Sequence, residues 1–152
     1  MKVIMYTDGS SLGNPGPGGY GVVLSAGKHT KELSAGYRLT TNNRMELLAV
    51  IVGLEALKKD NLEVEVYTDS RYVQQAVEKG WVFGWEKKNF KDKKNPDLWK
   101  RFLPIYRKHR VRLKWVKGHA GIPGNERCDE LANEAARWSN LPADKGYEES
   151  ID

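Results

Sequence analysis

Two aspartates close the same short phrase, Tyr6-Thr7-Asp8-Gly9-Ser10 and Tyr67-Thr68-Asp69-Ser70. Each phrase follows a β-branched run, Val3-Ile4-Met5 and Val64-Glu65-Val66, so each aspartate is expected where a strand stops. If those strands are neighbours in one sheet, two carboxylates meet at one edge and repel unless a cation lies between them. Oxygen ligands of this kind suit magnesium, which takes one or two carboxylates and fills its shell with water and phosphate. The chemistry implied is metal-dependent chemistry on a phosphate.

Glu46 and Asp129 extend the set. Glu46 falls in a run that includes Met45, Leu47, Leu48, Val50, Ile51 and Leu54, apolar almost all round. An acid buried there is costly unless it is paired or bound to a metal. Asp129 lies in the first turns of an expected C-terminal helix. Each acid has an ordinary reading: Asp8 in a turn, Glu46 closing a capping box, Asp69 capping a helix, Asp129 complementing a helix dipole. Taken together, four carboxylates can hold two divalent ions roughly 3.5–4 Å apart and clamp both reacting oxygens of a phosphodiester. His119, in the loop Lys117-Gly118-His119-Ala120-Gly121, has the side chain suited to moving protons near neutral pH.

The 152-residue chain carries a net charge of +5, which favours a polyanionic partner. Lys87, Lys88, Lys91, Lys93 and Lys94 crowd one stretch, with Trp81, Trp85, Phe90 and Trp99 interleaved. That pattern is a footprint for a nucleic-acid backbone, though a solvated lysine-rich hairpin with inward aromatics would read the same way. A hydrophobic fraction of 39% fits a globular domain. No apolar run approaches the roughly 18 residues of a membrane span, so no membrane association is expected. A strand beginning at Lys2 leaves no room for a signal peptide. Cys128 is the only cysteine, which excludes an internal disulfide and suits a reducing cytoplasm.

Periodicity predicts strands over 2–7, 20–24 and 30–38, then a helix over 41–59. A strand–helix unit follows over 63–68 and 70–79, then a helix over 96–109, a strand over 111–115 and a helix over 125–138. Residues 9–19 read as a Gly/Pro-rich loop, but without the Gly-Lys-Ser/Thr of a phosphate-binding P-loop. The order implies an α/β domain: an antiparallel meander extended by parallel strands. Residues 1–138 form the expected domain, and 139–152 read as a loosely held tail.

Several motifs together resemble one family. Tyr-Thr-Asp-Gly-Ser with Gly-Asn-Pro-Gly-Pro-Gly-Gly-Tyr, Thr-Thr-Asn-Asn-Arg-Met-Glu, Tyr-Thr-Asp-Ser, and Trp-Val-Lys-Gly-His-Ala-Gly with Asn-Glu-Arg-Cys-Asp resemble type 1 ribonuclease H of the bacterial kind, over about 1–137. The resemblance implies a ribonuclease H-like fold with a five-stranded mixed sheet, three strands antiparallel and two parallel, and helices on both faces. It implies a monomeric endonuclease that cuts the RNA strand of RNA–DNA hybrids, leaves 5′-phosphate and 3′-hydroxyl ends, and removes RNA primers and hybrids. Two Mg2+ ions would serve each site during catalysis, with Mn2+ able to substitute.

Asp8, Glu46, Asp69 and Asp129 fall on the family's metal-binding acids and His119 on its mobile histidine. Residues 81–99 match its basic protrusion, which grips the DNA strand, here with Trp81, Trp85, Lys87, Lys88, Lys93 and Lys94. Asn14, Asn42 and position 71 would lie near the minor groove of the hybrid, and Thr41 and Asn14 on the DNA backbone. Ser11 and Arg71 stand where the best-known bacterial relatives have cysteine and glutamine. Arg71 lacks the acceptor half of an amide, so contact with phosphate or sugar replaces base reading.

Three rival readings fail on particular residues. A catalytically silent hybrid-binding module would lose one of the acids, and all four are present. A phosphatase of the Asp-x-Asp type needs an aspartate where this chain has Tyr6. An integrase of related fold would not carry Thr41-Asn42-Asn43 with the basic protrusion.

Overall fold

Alternation along Val3, Met5 and Thr7, each buried, sets one face of the first strand against a helix, as period-two patterning requires. In the computed structural model, which describes residues 2–151, the elements are β1 (Lys2–Ser11), β2 (Gly16–Ala26), β3 (His29–Thr40), α1 (Asn42–Glu55), β4 (Glu63–Thr68), α2 (Arg71–Glu78), α3 (Trp81–Lys87), α4 (Pro96–Tyr106), β5 (Arg110–Trp115), α5 (Pro123–Ala136) and α6 (Lys145–Ser150). The strands form one five-stranded sheet in the order β3-β2-β1-β4-β5. β1, β2 and β3 pair antiparallel, while β4 pairs parallel with β1 and with β5. The expected mixed sheet is therefore the observed one.

α1 is buried on almost every side, from Arg44 to Leu54, because it lies between the sheet and α4. Thr41 caps it by accepting from the Arg44 amide. Its core neighbours include Trp99 and Phe102, which meet edge to face at 5.5 Å. α5 packs across β1, β2 and β3 on the other face.

Two expectations need correction. The glycine-rich segment expected as a loop over 9–19 is mostly strand: β1 continues to Ser11, and Gly18, Gly19, Tyr20 and Gly21 pair with Ser11, Ser10, Gly9 and Asp8. Asp8 thus lies within its strand rather than at its end. Apart from Gly13, which turns the chain at a φ of 103°, these glycines serve close approach. A Cβ on Gly9 would lie 2.3 Å from the Glu46 amide nitrogen, and one on Gly21 would lie 2.4 Å from the Cys128 carbonyl oxygen. The segment expected as a loose tail instead carries α6, and Asp144 just before it is buried. Its carboxylate accepts from Thr40 and Arg44 and caps the helix at the Tyr147 amide.

Gly21→Ala should push α5 away from the sheet and destabilise the protein by roughly 1–3 kcal/mol or more. Gly84→Ala, at a helical position with open space, should be neutral or stabilise by up to about 1 kcal/mol. Thermal unfolding of the two variants checks the contrast. Equal melting temperatures would contradict the seating of α5 on Gly21.

Candidate active site

The parallel ladder between β1 and β4 ends at the pair Thr7 and Thr68, so Asp8 and Asp69 are the next residues on each chain segment. Gly9 lets the start of α1 descend onto β1, which brings Glu46 to the same place. Asp8, Glu46 and Asp69 each offer a carboxylate oxygen, and these oxygens all lie within 4.8 Å of one another. Asp8 and Glu46 are buried and Asp69 is half-buried.

The ordinary roles open to these acids are taken by other residues. Ser70 caps α2 by accepting from the Val73 amide, which leaves Asp69 free of that task. Thr41 caps α1, so Glu46 closes no capping box. Asp8 accepts from the Gly9 amide at 2.9 Å. Glu46 Oε1 and Asp69 Oδ1 are buried with no hydrogen-bond partner. Buried carboxylate oxygens without donors are costly, and a divalent cation is the partner that satisfies several at once.

The electrostatics agree. Burial, and then the Asp69 charge, push the Asp8 carboxyl up to about 8. Glu46 is also held well above the usual carboxylate range, first by burial and then by repulsion from Asp8 and Asp69.

Asp129 stands beside this trio rather than in it. It is half-buried on α5, and its charge adds to the upward push on Asp8. A relay holds its turn of the helix to β1: Ser10 Oγ donates to Asn133 Oδ1 at 2.7 Å, and Asn133 Nδ2 donates to the Asp129 carbonyl at 2.9 Å. His119 is exposed, with a left-handed φ of 55°. Its neighbour Gly118 lies against Asp69, where a Cβ would come within 2.7 Å of Oδ2.

Ser11 is half-buried, while Asn14, Asn42 and Asn43 are exposed, and Asn14 Oδ1 accepts from the Asn42 amide at 3.1 Å. In the basic stretch, Lys87, Lys88, Lys93 and Lys94 are exposed. Its aromatics divide: Phe90 and Trp99 are buried, Trp85 packs edge-on against Trp99, and Trp81 is 47% exposed. Lys93 lies over the Trp85 ring, 5.1 Å from its centroid.

Trp115 opens the Trp-Val-Lys-Gly-His-Ala-Gly motif without being among the expected site residues, yet it reaches the site. Its indole nitrogen donates to the Asp69 carbonyl at 3.0 Å, and the Arg71 guanidinium stacks 4.1 Å above its ring. The exposed end of a strand that otherwise alternates cleanly was the available signal.

An acid cluster at the end of a parallel strand pair in such a sheet is the equipment of metal-dependent phosphate chemistry. The chain belongs to the RNase H family, whose model matches residues 1–137. It is 58% identical over 148 residues to the Ribonuclease H of Desulforamulus reducens, covering 94% of this chain and 92% of that protein. LC9-RNase H1, described as a type 1 RNase H with the type 2 active-site motif, superposes with a TM-score of 0.81 at 34% identity, over 99% of this chain and 80% of that one. LC11-RNase H1, solved with an RNA/DNA hybrid, aligns with a TM-score of 0.66 at 32% identity, over 88% of this chain and 96% of that one. Among the described residues, no helix is long and apolar enough to cross a membrane.

Raised carboxyl pKa values carry a sign. The protonated cluster is tolerated below about pH 4, and the fold loses stability as pH rises from there through about 8 and the charges appear. In a chelator at pH 9, Asp8→Asn should therefore stabilise the protein, by about 1–3 kcal/mol after relaxation. At pH 4 the same variant should differ little. A variant no more stable at pH 9 than the wild type would contradict the proposed repulsion.

Proposed function

We propose that the chain is an endoribonuclease that hydrolyses the RNA strand of RNA–DNA hybrids, with Asp8, Glu46 and Asp69 holding divalent magnesium and Asp129 completing the set. The observation that carries this reading is the carboxylate trio, within 4.8 Å, with two buried oxygens lacking donors. Bound ions would supply charge stabilisation at the phosphate and a more acidic water. The chain's own residues do the rest. Asp8 and Glu46 give up their protons to receive the cation, and their burial keeps competing water away. Asp129 adds negative charge beside them from α5 and would help hold a second ion. His119, on a loop flanked by Gly118 and Gly121, carries protons to and from the reacting groups. No side chain needs to act as a covalent nucleophile.

Substrate recognition follows from the surroundings. A groove of about 710 Å³ is lined by Asn14, Thr41, Asn43, Lys93 and Lys94, a polar and basic surface suited to the DNA strand. Trp81, Trp85, Lys87 and Lys88 extend this grip along the protrusion. Asn42 reaches the minor groove, where 2′-hydroxyls mark the RNA strand. Ser11 and Arg71 contact sugar and phosphate oxygens, and Arg71 is preordered by its stack on Trp115. The acids, His119 and the protrusion lie within residues 1–138, on which the Asp144 segment and α6 pack, and the domain works as a cytoplasmic monomer that clears RNA primers and hybrids, with manganese able to replace magnesium.

Labelled hybrid, duplex RNA and duplex DNA, each incubated with magnesium or with a chelator, test the reading. Only the hybrid with magnesium should be cut, and only in its RNA strand. Asp8→Asn should bind hybrid and fail to cleave it, whereas His119→Ala should slow turnover by about 100-fold. Cleavage by Asp8→Asn would remove the metal role. Glutamine in place of Lys87, Lys88, Lys93 and Lys94 should weaken binding and flatten its salt dependence, by roughly 0.7–0.9 in slope for each phosphate no longer neutralised. An unchanged slope would remove the protrusion from the interface.

A further inference from the structure

A buried cation lies outside the acid cluster. The Arg44 side chain is only 3% exposed, yet it sits on a helix whose other inward residues are mostly apolar. Its guanidinium uses every donor. Nε and one terminal nitrogen donate to Asp144 at 2.8 and 3.0 Å. The terminal nitrogens also donate to Asp97 at 2.9 and 2.7 Å, with a longer bond of 3.3 Å to Asn95 Oδ1. Thr40 adds a hydroxyl bond to Asp144 at 2.7 Å.

These bonds tie together three segments distant in sequence: the junction of β3 with α1, the entry to α4, and the turn before α6. The same three segments wall the groove described above, through Thr41 and Asn43, Lys93 and Lys94, and Tyr147 and Ser150. Asn95 carries the link further, because its side-chain amide donates to the Tyr72 hydroxyl, which also accepts from Trp99 Nε1. Buried ion pairs are weak contributors to stability, since desolvation offsets their attraction, but they hold a fixed register well. A bidentate guanidinium between two carboxylates fixes both distance and angle.

We propose that Asp144 is a positioning residue for substrate: through Arg44 it holds the entry to α4, with Lys93 and Lys94, in register with Thr41 and Asn43 across the groove. This rests on the groove taking the DNA strand of a hybrid. The segment after α5 is then a wall of the substrate site rather than an appendage. Asp144 touches no reacting atom, so its loss acts on binding and not on the chemical step.

The test measures KM and kcat for Asp144→Asn well below its melting temperature, with two hybrids. One is long enough to span both the acid cluster and the groove, and the other is short and confined to the acid cluster. Asp144→Asn should raise KM for the long hybrid about tenfold or more, with kcat nearly unchanged and the short hybrid unaffected. Asp97→Asn, half-exposed on the other side of Arg44, is the second variant should the first fail to fold. It should act in the same direction. Equal losses on both hybrids, or a folded variant with unchanged KM, would overturn the positioning role. Wild-type protein that cleaves neither hybrid would instead overturn the functional reading beneath it.

Discussion

Three carboxylates confined within 4.8 Å of one another, two of them buried, cannot all carry charge at low cost. Much of the structure around them makes sense as a means of forcing that confinement. The parallel register of β1 and β4 sets Asp8 beside Asp69, and Gly9 admits the first turn of α1 so that Glu46 joins them. Capping by Thr41 and Ser70 removes the ordinary uses these acids would otherwise have. What results is a site under electrostatic tension, which protons or a cation relieve.

Around that centre the fold is built for closeness on both faces of the sheet. Gly19, Gly21 and Gly36 let the backbone of α5 lie directly on β2 and β3, and the Ser10–Asn133 relay holds the Asp129 turn near β1. On the opposite side the packing of α1 is apolar except at two charged residues, Glu46 and Arg44. The first belongs to the acid cluster. The second gathers Asp97 and Asp144 around it. Buried charge on α1 is thus concentrated at two places, the acid cluster and the groove that flanks it.

The sequence made the mixed sheet, three of the clustered acids and the exposed lysines of the basic stretch legible, because strand runs, helix periodicity and repeated phrases are local signals. It was silent where meaning depends on partners distant in the chain. The glycines from Gly9 to Gly19 read as a loop because glycine usually marks turns, and only the positions of α1 and α5 show Gly9 and Gly19 to be points of close approach. Asp144 read as part of a loose tail, because its partner Arg44 is a hundred residues away and the intervening pattern gives no hint of the pair. Arg44 itself carried a clue, being a charged residue in a helix otherwise ready for burial. Trp115 reached the site through the backbone of Asp69, an interaction that no spacing rule anticipates.

The claim that protons occupy the acid cluster until a cation displaces them has a direct measurement. Magnesium binding near pH 7 can be followed by titration calorimetry in two buffers with different ionisation enthalpies. Because Asp8 is raised to about 8 and Glu46 is raised with it, binding should release at least about one proton, so the observed heats should differ between buffers. Glu46→Gln should weaken both the binding and the release. Magnesium binding with identical heats in the two buffers would contradict the account, because the cluster would then already be fully charged without its ion.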